Sequence, residues 1–175
     1  MSEAVAAPAR MSAPHSPAVT ARLIAFLLPF ALLAGAYGSQ YLGGLYPCEM
    51  CWWQRYGHFA ALVPALLAFT APAETQRSRM LVLLAALGIA VSGAIGVYHA
   101  GVEAKIFEGF TTCTSTITGG GSTADLLKQI THAPLVRCDE VQYRFLGISL
   151  AGWNAIISLS GAAMILFLSL KRRRG

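Results

Sequence analysis

Charged residues are missing from four long stretches of this chain. Residues 23–47, 56–73, 80–102 and 145–170 contain no Asp, Glu, Lys or Arg. A helix that crosses a bilayer needs about 20 mostly apolar residues, and in lipid its backbone polar groups must be satisfied within the segment itself. The pattern therefore predicts an all-α membrane protein: a bundle of four transmembrane helices, with spans at about 23–45, 52–72, 80–101 and 147–170. The first and last stretches exceed the required length, so the pattern leaves their ends open. Gly88, Ser92 and Gly96 recur every fourth residue. They give the third helix a narrow face that either admits a neighbouring helix or meets lipid.

Composition agrees. Of 175 residues, 55% are hydrophobic and 12% charged, against about 25% charged in soluble domains. The formal charge of +5 does not indicate nucleic-acid binding, because the positive residues sit at the edges of apolar runs. They instead report orientation. Arg10 and Arg22 precede the first span, Arg77 and Arg79 lie between the second and third, and Lys171, Arg172, Arg173 and Arg174 follow the last. The positive-inside rule places these regions, and both termini, in the cytoplasm. Residues 1–20, rich in Ala, Pro and Ser, are expected to be a disordered tail, leaving 21–175 as one domain. A cleaved signal peptide ending near Ala34-Gly35-Ala36 is the weaker alternative, since the apolar run continues past it.

Residues 37–50 and 103–144 then face outward, and all four cysteines fall at or in these two segments. Outside is where disulfides persist. The longer segment carries Gly119-Gly120-Gly121, a hinge, followed by Ala124, Leu126, Leu127 and Ile130 among polar neighbours. That stretch reads equally as a helix on the membrane surface or as an ordinary loop helix.

The sharpest motif is Pro47-Cys48-Glu49-Met50-Cys51-Trp52-Trp53-Gln54-Arg55. Cysteines near a helix N-terminus are better nucleophiles and leaving groups near neutral pH. Arg55, four residues beyond Cys51, shares its helix face about 6 Å deeper, where a charge needs a partner such as a thiolate or an electron-accepting ring. A metal site completed by His58 or His99 is disfavoured, because the other cysteines lack matching spacing. A purely structural disulfide is also disfavoured, because so small a loop constrains the unfolded chain little. Trp52 and Trp53 read as membrane-interface residues. Cys113 and Cys138 are separated by 24 residues. A disulfide between them would either staple the loop, by roughly 3 kcal/mol, or offer a soluble partner a bond to attack.

Together these features resemble the DsbB family of disulfide bond formation proteins. The resemblance rests on four spans, the Pro-Cys-x-x-Cys-x-x-x-Arg run, and a second cysteine pair between spans three and four. Tyr98-His99-Ala100-Gly101-Val102-Glu103, Cys138-Asp139-Glu140 and Arg144-Phe145-Leu146-Gly147 are similar to one branch of it. It implies a protein-dithiol:quinone oxidoreductase of the bacterial inner membrane, with periplasmic cysteines and a DsbA-like thioredoxin-fold partner. By the same resemblance, Cys113 and Cys138 take electrons from that partner, and Cys48 and Cys51 pass them to a quinone, ubiquinone or menaquinone. Arg55, Cys51 and His99 stand nearest that quinone, and no metal is required. Gln54 departs from the acid that many members carry there, removing a candidate ion-pair partner for Arg55. Two alternatives remain. One is a thiol–quinone enzyme of the vitamin-K-epoxide-reductase type, although there the Cys-x-x-Cys lies on a later span. The other is a non-catalytic membrane protein with structural disulfides.

Overall fold

The first helix begins at Pro17, a residue well suited to a first turn because its missing N–H would have no partner there. Ser16 caps it, its hydroxyl accepting from the Val19 N–H at 3.2 Å. In this computed structural model, which describes residues 16–109, 122–124 and 136–171, α1 runs Pro17–Tyr41. The expected disordered tail is therefore too long at its end: residues 17–20 are helix, and 1–15 lie outside the described residues. Helix α2 spans Glu49–Leu67 and runs into a 3-10 turn, Ala68–Thr70. Helix α3, Gln76–Glu103, is capped by the Thr75 side chain. Helix α4 covers Leu150–Lys171.

The last apolar run does not enter directly as helix. Strands β1, Arg144–Phe145, and β2, Ile148–Ser149, pair antiparallel. They turn through Leu146 and Gly147, both at positive φ (51° and 81°), as a two-residue hairpin requires. An apolar run by itself does not separate a short strand from a helix, so α4 starts three residues later than predicted.

Three of the helices, Pro17–Tyr41, Gln76–Glu103 and Leu150–Lys171, are long and apolar enough to cross a membrane among the described residues. Helix α2 falls outside that set. It carries Gln54, Arg55 and His58, all buried. Four long helices are present among the described residues, and three of them have the make-up of a span.

Packing follows the small residues. Helix α3 lies between α2 and α4, while α1 closes the bundle against α4 and α2. A Cβ added at Gly88 would sit 3.1 Å from the Ala61 Cβ, and one at Gly96 would sit 3.0 Å from the Ala151 carbonyl oxygen. The Gly88, Ser92 and Gly96 face is thus a packing surface for both α2 and α4. The interior holds Ala25, Ala61, Ala65, Ala85 and Ile89, whereas Leu27, Phe30, Leu66, Leu84, Leu87 and Phe167 point outward. Small residues inside and large apolar ones outside is the arrangement expected when lipid surrounds the bundle. At one end, Arg22 Nη1 donates to the Ala71 carbonyl at 3.1 Å, and the Ser16 hydroxyl donates to Glu74 at 2.8 Å. These bonds gather the start of α1 and the α2–α3 link. The Cys-x-x-Cys segment lies at the opposite end.

Candidate active site

Helix α2 starts on a cysteine. Cys48 is its N-cap, in extended backbone after Pro47, and its sulfur accepts from the Cys51 N–H at 3.3 Å. A cap acceptor satisfies one of the orphan amides of a helix start, and here that acceptor is a redox-capable atom. Cys51 follows in the first turn with its sulfur 2.8 Å from that of Cys48, so a small shift closes the ~2.05 Å bond of a disulfide.

A third cysteine arrives from far along the chain. Cys138 is buried in a small cluster with Cys48, Met50 and Val102. Its segment is docked by polar contacts on either side. Lys105 Nζ, held at a positive φ of 60°, donates to Asp139 Oδ2 at 2.6 Å and to the Asp139 carbonyl at 2.8 Å. Gln142 Nε2 donates to the Tyr46 carbonyl at 2.7 Å. The Arg137 guanidinium and Lys105 beside Asp139 hold its carboxyl well below the usual carboxylate range. The Cys48 and Cys138 sulfurs and a ring nitrogen of His99 all lie within 4.8 Å of one another. Contact with Cys138 and Cys51, together with burial, pushes the Cys48 thiol up. The expected fourth cysteine, Cys113, lies outside the described residues, as do the Gly119–Gly121 hinge and residues 125–130 of the proposed surface helix.

Arg55 is buried, and its partners come from α1. Nη1 donates to Gln40 Oε1 at 2.6 Å and Nη2 to the Ala36 carbonyl at 3.0 Å. The guanidinium also lies over Tyr37 at 4.7 Å and over Trp52 at 4.9 Å. Trp52 is therefore more than an interface residue. Gln54 does not bear on Arg55 at all. Adjacent helix positions point about 100° apart, and Gln54 faces α3 and α4.

There it joins a buried polar chain that sequence reading did not assemble. Gln54 Nε2 lies 2.8 Å from His99 Nδ1 and donates to the Met50 carbonyl at 3.2 Å. Asn154 Nδ2 donates to Gln54 Oε1 at 2.8 Å, and Asn154 Oδ1 lies 2.8 Å from His58 Nε2. Ser92 Oγ donates to the Gln54 carbonyl at 2.9 Å. Asn154 and Ser92 could have been suspected, because a polar residue inside an apolar span is a functional candidate by default.

Cys48, Cys51, Arg55 and His99 all line one cavity of about 300 Å³, whose far wall is apolar residues of α1 such as Ala31 and Leu32. That volume is at the lower end for small-molecule sites.

Apolar helices around reactive sulfurs and a cavity define a helical membrane protein built for thiol chemistry. Known proteins narrow the class. Residues 18–168 match the family described as Disulfide bond formation protein DsbB, and the chain belongs to that family. It is 29% identical to Disulfide bond formation protein B of Marinobacter nauticus over 166 residues, covering 85% of this chain and 90% of that protein. It is 31% identical to the protein of the same name from Aromatoleum aromaticum, covering 86% and 93%. With that of Shewanella sp. strain MR-4 it shares 32% identity, covering 79% of each. No solved structure matches. Membership makes this an oxidoreductase of disulfide bond formation.

Proposed function

We propose that this chain is an inner-membrane protein-disulfide oxidase. It reoxidises a periplasmic DsbA-like, thioredoxin-fold dithiol protein and delivers the electrons through Cys113/Cys138 and Cys48/Cys51 to a membrane quinone. The observation that carries the proposal is the meeting of Cys138 with Cys48, which itself lines a cavity together with Cys51 and Arg55.

Each residue has a task in this reading. Cys113 and Cys138 form the outer pair, which a soluble dithiol reduces. The Cys138 thiolate attacks Cys48 in the Cys48–Cys51 disulfide. A Cys138–Cys48 bond forms, and the electron pair of the broken bond leaves on Cys51. Exchange of this kind needs the sulfurs in contact and no other cofactor. Cys51 is then a thiolate on the same helix face as the Arg55 charge, which favours that form.

The cavity suits a quinone, ubiquinone or menaquinone. Its apolar α1 wall fits a flat ring and isoprenoid tail, and the Arg55 fork has N–H donors beyond the two used on α1 to hold a ring oxygen. A bound quinone supplies a two-electron, two-proton acceptor, matching what a dithiol loses on closing. In this proposal α2 is the fourth span, the basic end of the bundle is cytoplasmic and the cysteine end is periplasmic. Support for that orientation comes from Arg22 and the α2–α3 link sharing one end.

The test is quinone reduction by the purified chain, driven by a reduced thioredoxin-fold protein. Stoichiometric quinol and partner disulfide are expected. Partner oxidation without quinol, or no turnover, overturns the assignment.

A further inference from the structure

His99 stands against the cysteines as well as on the cavity wall, and its surroundings fix where its proton sits. The Met50 and Ser92 carbonyls can only accept hydrogen bonds. Gln54 must therefore present its NH₂ to Met50, and Asn154 its NH₂ to Ser92, at 3.2 Å each. The same Asn154 NH₂ donates to Gln54 Oε1 at 2.8 Å, so both amide orientations are determined together. The group facing His99 Nδ1 at 2.8 Å is thus the Gln54 NH₂, a donor, and Nδ1 must accept. In a neutral imidazole the proton is then on Nε2. Three neighbours suit a proton there: the Cys48 sulfur at 3.6 Å, the Glu103 carboxylate at 3.9 Å and the Cys138 backbone, which hydrogen-bonds the ring.

We propose that Gln54 holds His99 as its Nε2–H tautomer, and that His99 thereby donates a hydrogen bond to the Cys48 sulfur whenever that sulfur carries negative charge. The inference rests on the exchange reaction proposed above. Its moment is the opening of the Cys48–Cys138 disulfide. An incoming thiolate attacks Cys138, a new S–S bond forms there, and the old bond breaks with its electron pair leaving on Cys48. The proton stays on Nε2, so atoms and electrons balance within the exchange. Cys48 needs such a donor, because two neighbouring thiols and burial oppose its thiolate. The groups facing it are Cys51, Cys138 and His99, with Glu103 beside the same Nε2 and Arg55 on the wall of the same cavity. His99 is in this sense a catalytic residue, touching a reacting atom, and Gln54 is a positioning residue. The same tautomer argues against a metal centre at Cys48, Cys138 and His99, since a metal ion would need the Nε2 lone pair.

Two measurements test it on the full chain in detergent. In ¹⁵N-histidine spectra of the reduced protein, with the His99 signals assigned by their loss in His99→Phe, a bare Nδ1 and a protonated Nε2 are expected. In Gln54→Glu the carboxylate should draw a proton onto Nδ1. A protonated Nδ1 in the wild type overturns the proposal. The second measurement follows alkylation of Cys48 against pH in a chain whose other three cysteines are Ser. This chain has no disulfide to exchange and no dithiol for a quinone, so the result stands apart from the proposed function. His99→Phe and Gln54→Leu should each move the midpoint to higher pH and slow alkylation near pH 7 on the order of tenfold, the size of one hydrogen bond to a charged group. An unchanged midpoint with a uniformly lower rate marks a merely structural role and overturns the proposal. Loss of quinone reduction in the wild type would sink the proposed function and leave the tautomer standing.

Discussion

Arg55→Met tests the quinone site at its centre. Arg55 is 6% exposed, and Met keeps most of its length and apolar packing. The substitution removes a charge four residues from Cys51 and two hydrogen bonds to α1, at Gln40 and Ala36. The Ala36 carbonyl keeps its donor from the Ser39 hydroxyl at 2.9 Å, so the cost is chiefly the lost bond to Gln40, about 1.5–3 kcal/mol for a hydrogen bond to a charged group, enough to lower the melting temperature without abolishing the fold. The functional loss is separate. A hydrogen bond to a charged group contributes about 1.5–3 kcal/mol, and each ~1.4 kcal/mol is a factor of ten in rate or affinity. Quinone reduction at limiting quinone should therefore fall roughly 10- to 100-fold. The assay follows quinone absorbance while quinone is titrated against a fixed, saturating small dithiol. Arg55→Lys should be intermediate, because Lys keeps the charge and loses the planar fork. If Arg55→Met stays folded and matches the wild-type rate at limiting quinone, Arg55 is a clamp between α1 and α2, and the cavity is not the quinone site.

Replacing Cys113 or Cys138 with Ser should stop electron uptake from the protein partner while a small dithiol still drives quinone reduction through Cys48 and Cys51; normal partner oxidation by either variant would return that pair to a structural role. In reduced, intact spheroplasts a membrane-impermeant thiol reagent should modify Cys113 or Cys138, and labelling only after lysis would reverse the proposed orientation. At Gly57 an added Cβ would lie 2.9 Å from the Ser92 Cβ, so Gly57→Val must push α2 from α3. The expected destabilisation is about 1–3 kcal/mol, read as a lower melting temperature in detergent, and an unchanged one would mean the helices part freely.

Much of the fold was legible because lipid makes few demands and makes them everywhere. Absence of charge over 80–102 and 145–170 marked α3 and α4 to within a few residues. The ends were less legible, because they depend on single side chains. Ser16, Cys48 and Thr75 each cap a helix earlier than the apolar run begins, and Gly147 turns the start of the last run into a hairpin. The cysteine motif was enough to put Cys51 and Arg55 beside one cavity, since residues four apart share a helix face whatever surrounds them. What the spacing could not give was the meeting of Cys138 with Cys48. That contact depends on Lys105, Asp139, Gln142 and Tyr46, none of which carries a motif.

The polarity of α2 shows why composition and structure part company at the site itself. Gln54, Arg55 and His58 make this helix too polar to count as a span, yet all three are buried and bonded to other helices. Gln54 and Arg55, one residue apart, tie α2 in opposite directions: Gln54 to His99 and Asn154 on α3 and α4, Arg55 to Ala36 and Gln40 on α1. The outward face of α2 is Tyr56, Phe59, Val63, Leu66 and Leu67, a surface lipid would accept. A buried polar group in a membrane bundle is tolerable only when satisfied internally, and, His58 Nδ1 apart, the residues that satisfy these come from all four helices. The residues that lower the apolar score of α2 are therefore those that hold the bundle around the cysteines, and the site and the packing of the bundle are one set of contacts.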